Sequence, residues 1–245
     1  MAAQHDGKRF SASGWLATCA AAWPRQCELC ADWGTRPLCG SCIARFAQAV
    51  PRCPGCALPG DADRRCGNCL RDPPQFDAAW AAADYGFPWD ELITRFKFRQ
   101  HAELAMALSR LLAESVPAPL ASATRLLIPM PLSTARLRER GYNQAWELAR
   151  RLGPQLGIEA HPGLLQRWRD TPHQVGLSRQ AREANLRDAL WVDPLHTQRI
   201  RGRQVALIDD VMTTGASADA AAHALRQAGA TQVQVWVVAR TPREG

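Results

Sequence analysis

Eight cysteines between positions 27 and 69 constrain the fold of this chain more than any other feature. They form four Cys-x-x-Cys pairs, separated by 8, 10 and 9 residues. A two-residue gap lets both sulfurs of a pair face one ion, and tetrahedral zinc needs two such pairs. We therefore expect two structural zinc ions, and the eight expected ligands are Cys27, Cys30, Cys39, Cys42, Cys53, Cys56, Cys66 and Cys69.

The spacing leaves the pairing of the cysteines open. The simplest assignment joins the first pair to the second and the third to the fourth, which gives two consecutive zinc ribbons at 25–72. An interleaved arrangement also fits the spacing. Disulfides in a secreted chain and a redox-active pair are rival interpretations. Four repeats of the same two-residue gap suit a metal better than four bridges or one catalytic pair.

The segment before the cysteines, 1–24, is interpreted as a short amphipathic helix with Trp15, Leu16 and Trp23 on its apolar side. Lys8 and Arg9 are followed by the stretch SASGWLATCAAAW, and this order faintly resembles a signal peptide. The apolar stretch is weak, however, and runs into the cysteine block. The sequence contains no run of about 18 apolar residues, so it predicts no membrane span. We expect a cytoplasmic protein.

The basic charge of the chain says little about nucleic acid. The formal net charge is +7, yet 28 of the 30 basic residues are arginines, which with the abundant alanine indicates a genome-wide compositional bias. Residues 1–75 carry a formal charge of +3, which eight thiolates (−8) and two zinc ions (+4) bring to −1. The cysteine module is therefore not a basic patch. Lys97 stands out because this chain almost never uses lysine.

After a Pro-Pro linker at 73–74, apolar runs alternate with segments of helical periodicity. The runs predict strands at 78–85, 125–133, 189–192, 205–209 and 231–240. Helical periodicity is predicted within 88–116, where a break is expected near Lys97. A second helix is predicted within 141–157, where Gly153 and Pro154 are expected to end it, and a third at 217–230. Strands that alternate with helices predict an α/β domain with a parallel sheet, at 76–245.

Two adjacent carboxylates, Asp209 and Asp210, follow the apolar run VALI, and a polar loop leads from them into a helix. Ligands of such sheets bind at the carboxyl ends of the strands. Ionised carboxylates accept hydrogen bonds from the two hydroxyls of a ribose. A loop of glycine and hydroxyl residues at a helix N-terminus suits a phosphate. We thus predict a sugar-phosphate site in which Asp209 and Asp210 hold the ribose. The 5′-phosphate is expected on Thr213, Thr214, Gly215, Ala216 and Ser217, with Ser217 also expected to cap the helix.

The stretch LIDDVMTTGAS resembles the motif with which type I phosphoribosyltransferases bind phosphoribosyl pyrophosphate (PRPP). Preceded by four cysteine pairs, it resembles the ComF/GntX family. The segments IPMPLSTARLRERGYNQAWELA and RWRDTPHQVGLSRQAREANLRDAL agree with that family, and with Lys97 the match covers about residues 15–240. The resemblance implies a type I phosphoribosyltransferase-like parallel sheet with helices on both faces, preceded by a small zinc-ribbon module.

The resemblance also implies that PRPP binds with magnesium and that the protein acts by positioning and charge stabilisation, without a protein nucleophile. The pyrophosphate is expected against the loop after Ile128, where Arg136, Arg138 and Arg140 lie in the sequence. The family match favours Arg136 and Arg140, with Lys97 as a further cation.

Other polar residues of the matching segments have less defined roles. Asn143 and Gln144 are expected to shape the start of a helix rather than to touch substrate. A second polar set either lines the acceptor side or organises a lid, and its members are Thr171, Gln174, Arg182 and Asn185.

The family is linked to DNA uptake in natural transformation, which leaves several functions open. The first is a magnesium-dependent phosphoribosyltransferase with an unknown acceptor. The alternative is a non-catalytic zinc-ribbon adaptor that binds single-stranded DNA or proteins of the DNA-uptake machinery, with the second domain as scaffold or PRPP sensor. A transcription regulator that uses the fold as a sensor is a third interpretation, and it lacks an obvious helix-turn-helix.

Overall fold

The computed structural model describes residues 24–98, 101–167 and 190–242. Its strands, in chain order, are β1 (Arg25–Gln26), β2 (Trp33–Gly34), β3 (Ala78–Asp84), β4 (Leu126–Pro129), β5 (Glu159–Ala160), β6 (Leu165–Arg167), β7 (Leu190–Val192), β8 (Gln204–Met212) and β9 (Gln232–Arg240). Its helices are α1 (Gly40–Phe46), α2 (Gly67–Arg71), α3 (Trp89–Phe98), α4 (Leu104–Ser115), α5 (Ala118–Ala123), α6 (Thr134–Arg140), α7 (Gln144–Leu156), α8 (Thr197–Ile200) and α9 (Ala216–Gln227).

Five parallel strands form the central sheet, in the order β3–β9–β8–β4–β5. The apolar runs of β4 and β8 are continuous rather than alternating, because a parallel sheet is buried on both faces. Leu126 and Ile128 contribute to one core, and Leu127 between them contributes to the other. The sheet thus separates two apolar layers.

Helices cover both faces of this sheet. The alanine-rich face of α9 packs in one layer, together with the antiparallel pair β6–β7. In the other layer, α3, α4 and α7 pack over Ile208 of β8 and Trp236 of β9. This arrangement confirms the predicted fold class, a parallel sheet with helices on both faces that follows a small cysteine-rich module.

The cysteine-rich residues form two lobes against the α/β part of the molecule. The first lobe contacts α3, where the Trp89 indole donates to the Phe46 carbonyl at 2.8 Å. The second lobe contacts the edge of the sheet, where the Ala79 amide of the edge strand β3 donates to the Pro54 carbonyl at 2.9 Å. The module is therefore docked on the domain at two separate places.

Three sequence predictions of local structure need correction. The helix α7 does not end at Gly153 and Pro154 but continues to Leu156, and Gly157, at φ 68°, ends it. The strand β8 extends through Met212, so the two carboxylates lie inside it. The segment 189–192 does form a strand, β7, but it pairs with β6 outside the main sheet.

The helix predicted at 88–116 is two helices, α3 and α4, and the break near Lys97 is confirmed. Other predictions fall outside the described residues. These are the amphipathic helix at 1–24, apart from its last residue, and the polar set Thr171, Gln174, Arg182 and Asn185.

Candidate functional site

Each cysteine lobe brings four thiols together, in the consecutive pairing. The sulfurs of Cys27, Cys30, Cys39 and Cys42 lie within 4.8 Å of one another, and so do those of Cys53, Cys56, Cys66 and Cys69. The interleaved alternative is therefore wrong. We call these groups the first and the second cysteine cluster.

The sulfur positions fit zinc. Four Zn–S bonds of ~2.3 Å in a tetrahedron place the sulfurs ~3.8 Å apart. The Cys30 and Cys39 sulfurs are 3.7 Å apart in the first cluster, and the Cys56 and Cys66 sulfurs are 3.7 Å apart in the second. Backbone amides also point at the sulfurs, as where the Cys66 N–H donates to the Cys53 sulfur at 3.1 Å. Such donors stabilise the thiolates that a metal requires.

One thiol in each cluster ionises readily. Burial alone would raise the pKa of Cys27, but backbone N–H groups, that of Cys39 foremost, donate to its sulfur and lower the pKa to about 6. In the second cluster, hydrogen bonds, that of the Cys69 amide foremost, overcome burial and lower the pKa of Cys66 to about 7. Burial and neighbouring sulfurs raise the pKa of Cys42 and of Cys69. Ionised sulfurs so close together repel one another, and a cation bound between the four of them would offset this repulsion.

The carboxylates of β8 occupy unlike surroundings. Asp210 is buried, and its Oδ1 lies 3.1 Å from Nζ of Lys97 at the end of α3. Asp209 lies deep in the molecule, with part of its surface open to the pocket, and its Oδ1 accepts the Asp210 amide at 2.9 Å. Burial and the neighbouring Asp210 charge raise the pKa of Asp209 to about 7. The site thus holds one paired carboxylate and one that titrates near neutrality.

A buried glutamine at the start of α7 joins two cations of the site. Gln144, 1% exposed, accepts a hydrogen bond from Nη1 of Arg140 at 3.0 Å and donates to the Lys97 carbonyl at 3.4 Å. Its neighbour Asn143 caps α7 by accepting the Trp146 amide and donates to the Met130 carbonyl. Asn143 shapes the helix start as predicted. Gln144 contacts the Arg140 side chain and the Lys97 backbone, and both Asn143 and Gln144 also line the pocket described below.

The loop after β8 turns directly into α9. Gly215 is the N-cap of this helix and has φ +89°, a conformation that favours glycine. The Ala216 amide donates to the Thr214 hydroxyl at 3.3 Å. Ser217 is the second residue of the helix, so the prediction that it caps the helix is wrong. Amides of a first helical turn point out of the helix end, where an anion is stabilised.

These elements surround one pocket of about 200 Å³. Both carboxylates, Lys97 and the five loop residues from Thr213 to Ser217 line it. Arg136 and Arg140 also line it, whereas Arg138 of the same helix does not. The guanidinium of Arg140 lies 4.9 Å from the centre of the Phe98 ring. The residues that the sequence predicted for a sugar phosphate and its pyrophosphate are therefore gathered in one place.

Sequence reasoning missed two arginines of this region. Arg167 of β6 lines the pocket, and it is the first residue of the family-matching segment RWRDTPHQVGLSRQAREANLRDAL, a signal that could have identified it. Arg240 ends β9 and donates to the Met212 and Thr213 carbonyls behind the loop. The sequence offers no signal for Arg240, because it resembles any charged residue at the end of a strand.

Comparison with known proteins identifies the family. No protein-family model matches the chain. It is 34% identical over 230 residues to the DNA utilization protein YhgH of Salmonella typhi, covering 89% of this chain and 98% of that protein. The chain belongs to the ComF/GntX family. Competence protein F of Haemophilus influenzae, another relative of this ComF/GntX protein, is 34% identical over 208 residues, with 83% and 90% covered.

Among solved structures, a purine phosphoribosyltransferase from Pyrococcus horikoshii Ot3 is similar to this ComF/GntX protein. It is 15% identical, with a TM-score of 0.32, and the match covers 59% of this chain and 75% of that one. No helix of the described ranges combines the length and the apolar character that a bilayer crossing requires.

Proposed function

We propose that this protein binds PRPP with magnesium and has the site chemistry of a phosphoribosyltransferase with an unknown acceptor. One observation carries the proposal: two carboxylates near the carboxyl end of β8 share a pocket with the N-terminus of α9 and with three of the cations that line it. Those cations are Lys97, Arg136 and Arg140. The carboxylates suit the ribose hydroxyls, and the helix start and the cations suit the two phosphate ends.

The 5′-phosphate is proposed to bind at the start of α9. The amides of the first turn and the hydroxyls of Thr213, Thr214 and Ser217 supply donors there, and the helix dipole favours a negative charge. The pyrophosphate is proposed to bind Arg136, Arg140 and Lys97. Guanidinium groups suit this ligand because their planar fork of donors matches phosphate oxygens.

The residues present also fit a magnesium ion that enters with PRPP. Carboxylate oxygens are ligands that magnesium prefers, and Asp209 lines the pocket without the close lysine partner that Asp210 has. When bound, magnesium offsets negative charge on the pyrophosphate and ribose oxygens. Asp209 and Asp210 are thus proposed to hold the ribose hydroxyls directly or through this ion.

Calorimetric titration of PRPP with magnesium tests the proposal. We expect saturable binding by the wild type, and a loss of about a hundredfold or more in Asp209→Ala/Asp210→Ala, because each hydrogen bond to a charged group contributes about 1.5–3 kcal/mol. Glu139→Ala is the matched control, since it removes an exposed carboxylate of α6 that does not line the pocket. A wild type that binds no PRPP refutes the proposal.

A second candidate function is binding of single-stranded DNA by the cysteine module, as part of DNA uptake. Two observations favour it. Relatives carry the names DNA utilization protein and competence protein, and Trp33 of β2 is 72% exposed. An exposed aromatic ring stacks on nucleic-acid bases without regard to sequence, for about 1–3 kcal/mol per base.

Fluorescence anisotropy with a labelled single-stranded oligonucleotide tests this function. Affinity should fall steeply between 50 and 200 mM salt, because phosphate contacts release counterions. Trp33→Ala should weaken binding by about tenfold, whereas Leu70→Ala, which trims another exposed apolar side chain of the module, should not. A flat salt response, or no binding at low salt, excludes the adaptor.

A further inference from the structure

A single buried arginine joins the second cysteine cluster to the loop of the candidate phosphate site. Arg240, at the end of β9, is 3% exposed. Its Nε donates to the carbonyl of Cys56, a member of the second cluster, at 2.8 Å. Its Nη1 donates to the carbonyls of Met212, at 2.9 Å, and of Thr213. One rigid guanidinium therefore fixes the backbone of a cluster cysteine and of the loop together.

Nearby contacts hold the same lobe on the sheet without touching the loop. Arg52, also buried, donates to the Ala57 carbonyl at 3.0 Å and pairs with Asp84 at 2.6 Å. Asp84 ends β3 and lies opposite Arg240 in the sheet. Arg52 thus attaches the lobe to β3, whereas Arg240 attaches it to the loop after β8.

The first cysteine cluster is attached elsewhere. Its lobe contacts α3 through the pair of Glu28 and Arg95, 3.2 Å apart, and contacts α4 through Arg36 and Glu114. The two clusters therefore offer an internal comparison, because they share their chemistry but differ in what they support.

We propose that Arg240 is a positioning residue that couples the second cluster to the loop Thr213–Ser217. A metal in that cluster fixes the Cys56 backbone, and Arg240 then holds the loop in the shape that receives a phosphate. Without the metal, the Cys56 carbonyl moves, and the guanidinium loses one of the contacts that orient its other donors. The effect on ligand affinity rests on the proposed function, whereas the effect on the loop does not.

Hydrogen exchange of the segment 208–219 tests the coupling in the zinc-loaded full chain. Cys66→Ser disrupts the second cluster and Cys39→Ser the first. Arg240→Lys keeps the charge, but one ammonium cannot span the acceptors on both sides. We expect about fivefold faster exchange for each hydrogen bond lost in Cys66→Ser and Arg240→Lys. Cys39→Ser and the matched control Arg52→Lys should stay within twofold of the wild type.

PRPP titration of the same variants gives a second measurement. Affinity should fall in Cys66→Ser and Arg240→Lys and stay within twofold in the two controls. Arg240→Lys keeps both clusters, so it tests the coupling even if Cys66→Ser does not fold. Unchanged exchange in Arg240→Lys overturns the inference, and so does an equal effect in Arg52→Lys or Cys39→Ser.

The two proposals fail in different ways. If the exchange pattern holds and the wild type binds no PRPP, the proposed function is wrong and the coupling stands. If the wild type binds PRPP and the loop exchanges equally in all variants, the coupling is wrong and the proposed function stands.

Discussion

Asp209, Asp210 and the loop after them show which parts of the site a sequence motif predicts and which it does not. The acidic pair, the loop and the start of a helix were predictable, because they are local and follow one strand. The contact between Lys97 and Asp210 was not predictable, since their positions are distant in the chain and only the packing of α3 brings them to 3.1 Å. The unequal surroundings of the two carboxylates follow from that contact and from burial.

The raised pKa of Asp209, about 7, predicts that PRPP binding depends on pH. Below pH 7 the carboxyl is protonated, so it cannot accept both ribose hydrogen bonds or bind magnesium as an anion. The affinity should therefore fall by about tenfold per pH unit below 7. Calorimetric titration between pH 5.5 and 8.5 measures this slope.

The control is Asp209→Asn, which should bind more weakly at pH 8 and show a flatter profile. The same pKa has a consequence for the free protein. Because the folded chain binds this proton more tightly than the unfolded chain, the contribution of Asp209 to stability falls as pH rises from about 4 to about 7. An unfolding free energy that changes equally with pH in wild type and variant would contradict the assignment.

At the scale of elements, helix α7 shows where local rules fail. Gly153 and Pro154 predicted a helix end, yet the helix continues because its apolar face packs on α4 and the sheet. Gly153 serves a different purpose here. A Cβ at this position would lie 2.6 Å from the Ile158 carbonyl, so glycine permits the chain to pass close to the helix on its way into β5. Such a long-range packing reason leaves no local signal.

Gly153→Ala should therefore destabilise the protein. Helix propensity alone would favour alanine by about 1 kcal/mol, but the backbone clash should outweigh it and give a net loss of about 1–3 kcal/mol. Urea unfolding at equilibrium measures the difference. Gly40→Ala, at the start of α1 with no atom within 4 Å of the added Cβ, is the control and should cost little. A Gly153→Ala variant as stable as the wild type would refute the close approach.

At the scale of the whole molecule, the sequence predicted the components better than the way they join. Four cysteine pairs predicted two metal clusters, and apolar runs predicted a parallel sheet. The junction was not predictable, because it depends on buried arginines, Arg52 and Arg240, in a chain where arginine is common. Several contacts at this junction are accepted by backbone carbonyls, those of Phe46, Pro54 and Cys56, which no side-chain pattern reveals.

Purified protein should contain close to two zinc ions per chain, measured by elemental analysis against protein concentration. Each cluster supplies four sulfurs at a spacing that suits tetrahedral zinc. Cys39→Ser should lower the ratio to about one, as should Cys66→Ser. A wild-type ratio near one would mean that one cluster stays empty, and a ratio near zero would revive the disulfide interpretation.

The strand order has a consequence for the time course of folding. Among the strands that the structure describes, β3 pairs with β9 alone, although most of the domain separates them along the chain. During synthesis on the ribosome, β3 and the cysteine lobes emerge before β9. The pairing of β3 with β9 forms late, because it joins segments that are distant in the chain. The clusters need only nearby residues, so they are able to take up metal first. The junction at Arg240 then forms last, after β9 has entered the sheet between β3 and β8.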